Sequence, residues 1–153
     1  MKRIENKSSR RYKYMAEDIY NVMADIENWS KWWPNTFQFK AVEATPEVVG
    51  SKLAVNSMGG KFEWEIDGVK PNEEICISYT TGPLVGAGRW TFEQTSDSTV
   101  VSYEVILEPQ HWMLKLMTRF MDCNHLFNVY IQSVLDSLGK RLEKLEREYQ
   151  QGV

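Results

Sequence analysis

Lys61-Phe62-Glu63-Trp64-Glu65-Ile66-Asp67 alternates charged and apolar residues without a break. A period of two puts Phe62, Trp64 and Ile66 on one face of a strand and the charged residues on the other. The same grammar continues on both sides. Upstream, Leu53 and Val55 alternate with Ala54 and Asn56, and Met58-Gly59-Gly60 is a hairpin signal joining the two runs. Further upstream, Phe37 and Phe39 alternate with Gln38 and Lys40. Downstream, Pro71-Asn72 turns into the row Ile75, Ile77, Tyr79, and Gly82-Pro83 turns into Leu84, Gly86, Gly88, Trp90, Phe92. Ser96-Asp97-Ser98 then leads to Val101, Tyr103, Val105 and Leu107. Short turns between strands with one apolar and one polar face predict an antiparallel sheet that is wet on one side.

A half-wet sheet needs a cover. Beyond Pro109 the period changes to that of a helix, with room for one interruption between Gln110 and Tyr149. Phe120, Cys123, Phe127, Ile131, Val134, Leu138, Leu142, Leu145 and Tyr149 form one stripe at spacings of three and four. At the other end, Ile4 to Tyr14 reads as a first strand. Ile19, Val22, Met23 and Ile26 share a helical face, with Glu17 and Asp18 at its positive end. Asn28 is positioned to cap a second short helix, Trp29 to Trp33, which Pro34 stops. The expectation is an α+β fold in a single domain spanning residues 1–153. A curved antiparallel seven-stranded sheet wraps a long C-terminal helix, and two short helices lie between strands 1 and 2.

The composition excludes several classes. The formal charge of −3 and pI near 5.5 argue against a nucleic-acid partner. The only basic stretch, Lys2, Arg3, Lys7, Arg10, Arg11 and Lys13, reads as the solvated face of the first strand. No apolar run approaches the ~20 residues of a membrane span, and the polar start is unlike a signal peptide. Cys76 and Cys123 read as free thiols in a reducing cytoplasm. No Cys or His pair has metal-ligand spacing, so neither metal nor cofactor is expected.

Two segments carry a family resemblance: Ala16-Glu17-Asp18-Ile19-Tyr20-Asn21-Val22-Met23-Ala24-Asp25-Ile26-Glu27-Asn28-Trp29, and Gly88-Arg89-Trp90-Thr91-Phe92-Glu93 followed by Ser98-Thr99-Val100-Val101-Ser102-Tyr103. With the order strand, two short helices, six strands, long helix, the chain resembles the START-like helix-grip (SRPBCC) superfamily. That group includes polyketide cyclase/dehydrase and lipid-transport proteins and the birch-pollen allergens. The resemblance implies a cavity between sheet and helix. It supplies no catalytic signature, because its members range from carriers to cyclases to partner-binding modules.

The candidate site follows from the inner rows. Phe62, Trp64, Ile77, Tyr79, Trp90, Phe92 and Tyr103 should face the helix, whose Met117, Phe120, Asn124, Phe127 and Ile131 should face them. Gly86 and Gly88 present no side chain on that face. They either leave space for a ligand or permit a bend in the strand. Tyr79 and Tyr103 are the best inner polar groups. Asn124 and Asn128 could orient a ligand carbonyl or bond to loop backbone. His125 falls about 150° from the stripe and should face solvent, while His111 could cap a helix start. Arg89 belongs outside, paired with Glu93 or Glu104. Trp112 to Met121 is apolar over roughly 200° of helix circumference, against the about 100° that a cover helix needs. The surplus meets the short helices, a pocket mouth or a membrane interface. Three functions fit: a binder or carrier of a small hydrophobic, lipid-like or aromatic molecule; a polyketide-type cyclase or dehydratase using Tyr79, Tyr103 and Asn124; and an interaction module docking through the Met-rich helix start. The expected partner is a small hydrophobic ligand, with no stable membrane insertion, and the protein is expected to be a monomer or homodimer.

Overall fold

The computed structural model describes residues 3–120 and 122–152. The chain runs β1 (Ile4–Tyr12), α1 (Ala16–Ala24), a 3₁₀ segment (Ile26–Lys31), β2 (Gln38–Glu43), β3 (Lys52–Ser57), β4 (Gly60–Lys70), β5 (Glu74–Thr81), β6 (Leu84–Gln94), β7 (Thr99–Pro109), α2 (Trp112–Phe120) and α3 (Cys123–Gln151). All seven strands form one open antiparallel sheet in the order β1-β7-β6-β5-β4-β3-β2. The expected α+β helix-grip architecture is what the chain adopts.

Each strand keeps the alternation read from the sequence. In β4, Phe62, Trp64 and Ile66 are buried while Lys61, Glu63 and Asp67 are exposed. The β3–β4 hairpin turns through Met58 and Gly59, at φ of 52° and 75°. Two central residues at positive φ describe the turn that matches strand twist. The sheet curves because its ladder is interrupted. Register shifts fall between Phe39 and Ala41 on β2, between Ile66 and Gly68 on β4, and between Tyr79 and Thr81 on β5 opposite Glu63 and Trp64. Each inserts an unpaired residue that bends the strand.

The curved face closes on α3, where Phe127, Ile131, Val134, Leu135, Leu138 and Leu142 are buried. β1 fastens this helix. Tyr12 donates its hydroxyl to the Leu135 carbonyl at 2.5 Å, and a Cβ at Gly139 would lie 3.3 Å from the Tyr12 ring. Arg10 pairs with Asp136 and donates to Gln132 at 2.6 Å. This corrects its reading as part of a solvated face: Arg10 shares its side of β1 with buried Ser8 and Tyr12.

Two boundaries differ from the sequence reading, and the one interruption it allowed in the helical run falls between α2 and α3. The stripe fades after Leu142, and Tyr149 is 77% exposed, because α3 outruns the sheet. The helical run is two helices, and Asp122 caps the second by accepting the His125 backbone N–H at 3.0 Å. The 3₁₀ segment starts at Ile26, so Asn28 lies inside it and donates to the Asp25 carboxylate at 2.6 Å. On the outer face, Arg89 pairs with Glu74 at 3.3 Å and Glu104 at 3.9 Å; Glu74 takes the place expected of Glu93. No helix among the described residues is long and apolar enough to cross a membrane.

Candidate functional site

Cross-strand pairing builds the site in two rows. Trp64 on β4 sits directly opposite Tyr79 on β5, with ring centroids 5.1 Å apart. Trp90 on β6 sits opposite Tyr103 on β7, with centroids 4.5 Å apart. Gly88 is paired with Ile77 on one side and Val105 on the other. Having no side chain, it lets the Tyr103 phenol lean across β6. The two phenolic oxygens meet at 2.7 Å. A Cβ at Gly88 would collide with the Tyr103 hydroxyl and ring. The room this glycine provides is therefore taken by Tyr103. Gly86 serves the backbone instead: its φ is +149°, and a Cβ there would run into the Ile106 carbonyl. Gly86 permits a close approach to β7 with no register shift in its strand, and neither glycine opens onto empty space.

The loop 32–37 lays Trp33 and Phe37 over these rows. Trp33 stacks on Trp29 at 4.6 Å and reaches Trp64 at 6.2 Å and Trp90 at 6.4 Å. Met58 at the hairpin turn and Phe127 and Ile131 on α3 complete the enclosure. About 10 Å³ remains among these side chains, the lower limit for one water. Just outside, an open groove runs between Asn35, Thr36 and Gln38, the β3–β4 hairpin and Tyr130 of α3. Met58 borders both spaces.

The electrostatics are those of an enclosed apolar slot. Tyr79 and Tyr103 are buried, and burial pushes both phenols well above their ordinary value of 10.0. For Tyr103 the neighbouring Tyr79 adds to the rise. Both stay protonated at neutral pH. Among the described residues, no carboxylate, imidazole, amine or guanidinium lines the space. Among the described residues, no group of three or more His, Cys, Asp or Glu forms a metal cradle.

Of the residues singled out in the sequence, Trp64, Tyr79, Trp90, Tyr103, Phe127 and Ile131 converge on this space. Phe62 is buried beside it, edge-on to Tyr79 at 6.4 Å. Asn124 is engaged elsewhere, accepting the Glu5 backbone N–H at 3.0 Å, and Asn128 accepts from the Ser8 hydroxyl at 2.7 Å. His125 is exposed, as its helical phase predicts, and His111 is exposed with its ring beside Trp112. Met117 and Phe120 belong to α2, but their side chains, and Met121 altogether, lie outside the described residues. The surplus apolar arc of α2 leaves Trp112 68% and Leu116 47% exposed, so these two do not pack on the short helices. Sequence reasoning missed Trp33, Phe37 and Met58 as lining residues. The density of Trp29, Trp32 and Trp33 before Pro34 was the available signal.

The profile of a family described as polyketide cyclase / dehydrase and lipid transport matches residues 13–129. The chain belongs to this family. The match spans α1 through the start of α3 and takes in nearly every side chain that encloses the slot, Ile131 alone lying beyond it. Family folds recur among solved structures. A protein from Thermus thermophilus shares 18% identity at a TM-score of 0.70, covering 92% of this chain and 98% of its own. A START superfamily protein from Mycobacterium smegmatis shares 17% at 0.69, covering 92% and 98%. A point mutant of norcoclaurine synthase from Thalictrum flavum, in complex with a transition-state analogue, shares 14% at 0.69, covering 94% and 96%. At these identities the likeness is one of fold. No curated protein matches at the level of sequence.

Proposed function

We propose that this protein binds a small, flat, hydrophobic molecule between its sheet and α3, and that it does so in the cytoplasm, where Cys76 and Cys123 stay reduced. One observation carries the reading. Seven aromatic side chains from a loop, four strands and a helix converge on one enclosed position with an open groove beside it. Aromatic faces that pack on each other can exchange those contacts for equivalent contacts with a flat ligand. The slot is closed in this form, so binding requires Trp33 or Met58 to move. Both sit outside the regular strands and helices, where displacement breaks the fewest backbone hydrogen bonds.

A cyclase or dehydratase acting in the same slot is the second reading, favoured by the Tyr79–Tyr103 pair. A protonated phenol can donate to a substrate oxygen, but the lining offers no base among the described residues to remove a proton. Binding without chemistry therefore fits the lining better.

Native mass spectrometry of freshly purified protein, followed by titration with an environment-sensitive apolar dye, tests the reading. Trp33→Ala should enlarge the slot and tighten dye binding, at a stability cost of about 3–5 kcal/mol. Dye affinity unchanged in a folded Trp33→Ala protein, together with no copurified ligand, would remove the case for binding.

A further inference from the structure

The outward face of α2 is unlike that of a cover helix. Trp112, Lys115, Leu116 and Arg119 stand at positions i, i+3, i+4 and i+7 and so share one face. All four are exposed, while Leu114, about 160° around the helix, is partly buried. The face turned to solvent thus interleaves two large apolar side chains with two cations. A helix that only closes a core turns its large apolar side chains inward. Leu126 and Val129, at the start of α3, are exposed as well. Four of the eight large apolar side chains exposed among the described residues therefore lie between Trp112 and Val129. Scattered singly they would need no account, but gathered in consecutive elements they mark a contact surface.

Charge selects what that surface meets. Residues 110–121 hold Lys115 and Arg119 and no Asp or Glu, in a chain whose net charge is −3. Asp122 follows, but its carboxylate is engaged as the cap of α3. A second copy of the chain would present the same two cations across a two-fold axis. The phosphates of a nucleic acid would pair with the cations and leave Trp112 and Leu116 in water. An anionic lipid surface meets both parts of the face. Indole and leucine side chains enter the boundary between headgroups and acyl chains, and the long stems of Lys and Arg carry their charges back to the phosphates.

We propose that α2 is a reversible anchor, which lays its Trp112–Lys115–Leu116–Arg119 face on an anionic lipid surface. The helix lies in the plane of the interface, since its nine residues are far fewer than the ~20 that a span requires. Two apolar side chains and two charges give a weak, salt-sensitive contact that forms and releases readily. The contact does not depend on what the slot between the sheet and α3 holds.

The full chain carries its own reporter. Of its six tryptophans, Trp29, Trp32, Trp33, Trp64 and Trp90 are buried and Trp112 is exposed. Phosphatidylcholine vesicles containing phosphatidylglycerol should shift the emission to shorter wavelength, and lipids brominated on their acyl chains should quench it. Trp112→Phe should abolish both signals, because the remaining indoles stay in the core. In flotation assays the wild type should rise with these vesicles at low salt, and several-fold less with phosphatidylcholine alone or at high salt. Trp112→Ser with Leu116→Ser should lower the partition coefficient by roughly tenfold or more. Lys115→Gln and Arg119→Gln should each remove roughly fivefold of the preference for phosphatidylglycerol. All four changes are at exposed positions and should leave the melting temperature near that of wild type. No flotation of the wild type with phosphatidylglycerol, or undiminished flotation of the Trp112→Ser, Leu116→Ser protein, would overturn the proposal. Sedimentation showing a wild-type dimer that this double change splits, without flotation, would overturn it in favour of a second copy on the same face.

Discussion

Gly88 is the residue on which the site's geometry turns. Its missing side chain is what brings two phenolic oxygens within 2.7 Å across an intervening strand. Gly88→Ala should therefore cost about 1–3 kcal/mol by overpacking, although the backbone there accepts a side chain. In a Tyr103→Ala background the same change should cost far less, and chemical denaturation of the four proteins in the cycle measures that coupling. Additive costs would mean that Tyr103 does not fill the space. The inward direction of Trp64, Tyr79, Trp90 and Tyr103 was readable from alternation alone. That Tyr103 occupies the gap left by Gly88 was not. A period of two assigns a side chain to a face, but does not say how far it leans over the neighbouring strand. Trp33 was harder still, since a loop has no period from which to read direction.

At the scale of elements, α3 shows what a helical stripe reveals and what it conceals. Phe127 lies in its buried centre, and Phe127→Ala should cost about 3–5 kcal/mol, read as a lower denaturant midpoint. The stripe runs unbroken in sequence across Phe120, Cys123 and Phe127, yet the helix restarts at Asp122. Apolar spacing survives a break that conserves phase, so only the cap discloses it. Asp122→Ala removes the acceptor for the His125 N–H and should lower stability by about 1 kcal/mol. His125→Ala should change it by less than about 0.5 kcal/mol, because that side chain is exposed. Equal effects from the two substitutions in thermal melts would contradict the capping geometry. The far end of the stripe, at Leu145 and Tyr149, misled for a complementary reason. Periodicity reports a helix's apolar face but not where its partner sheet ends.

For the molecule as a whole, buried phenols set the alkaline limit of stability. Tyr12, Tyr79 and Tyr103 all have pKa values raised by burial, and Tyr14 is pushed up to about 12 by partial burial and by its hydrogen bond to Glu146 at 2.5 Å. In the unfolded chain these groups ionise near their ordinary value of 10.0. Between there and the folded-state pKa, the unfolded chain has lost protons that the native protein retains. Stability is thus complete below pH 10 and falls as pH rises beyond it, by about 1.4 kcal/mol per unit for each fully buried phenol. Melting temperatures measured from pH 8 to 12 should stay level and then drop. Phenolate absorbance from the buried tyrosines should appear together with unfolding rather than before it. A smooth titration of all seven tyrosines in a still-folded protein would show that they are open to solvent.

The pairing of β1 with β7 also has a consequence in time. Arg11 meets Ser98 across 87 positions, and Glu5 meets Asn124 across 119. A ribosome adding roughly 5–20 residues per second leaves the first strand without its neighbour for on the order of ten seconds. During that wait Ile4 and Tyr12, buried at the end, are open to other nascent chains. Lys7, Arg10, Arg11 and Lys13 then have a purpose that the finished fold hides. Positive charge along an orphan edge repels its own copies, so the one basic stretch of an acidic protein keeps the newborn strand solitary until the end of the chain arrives to claim it.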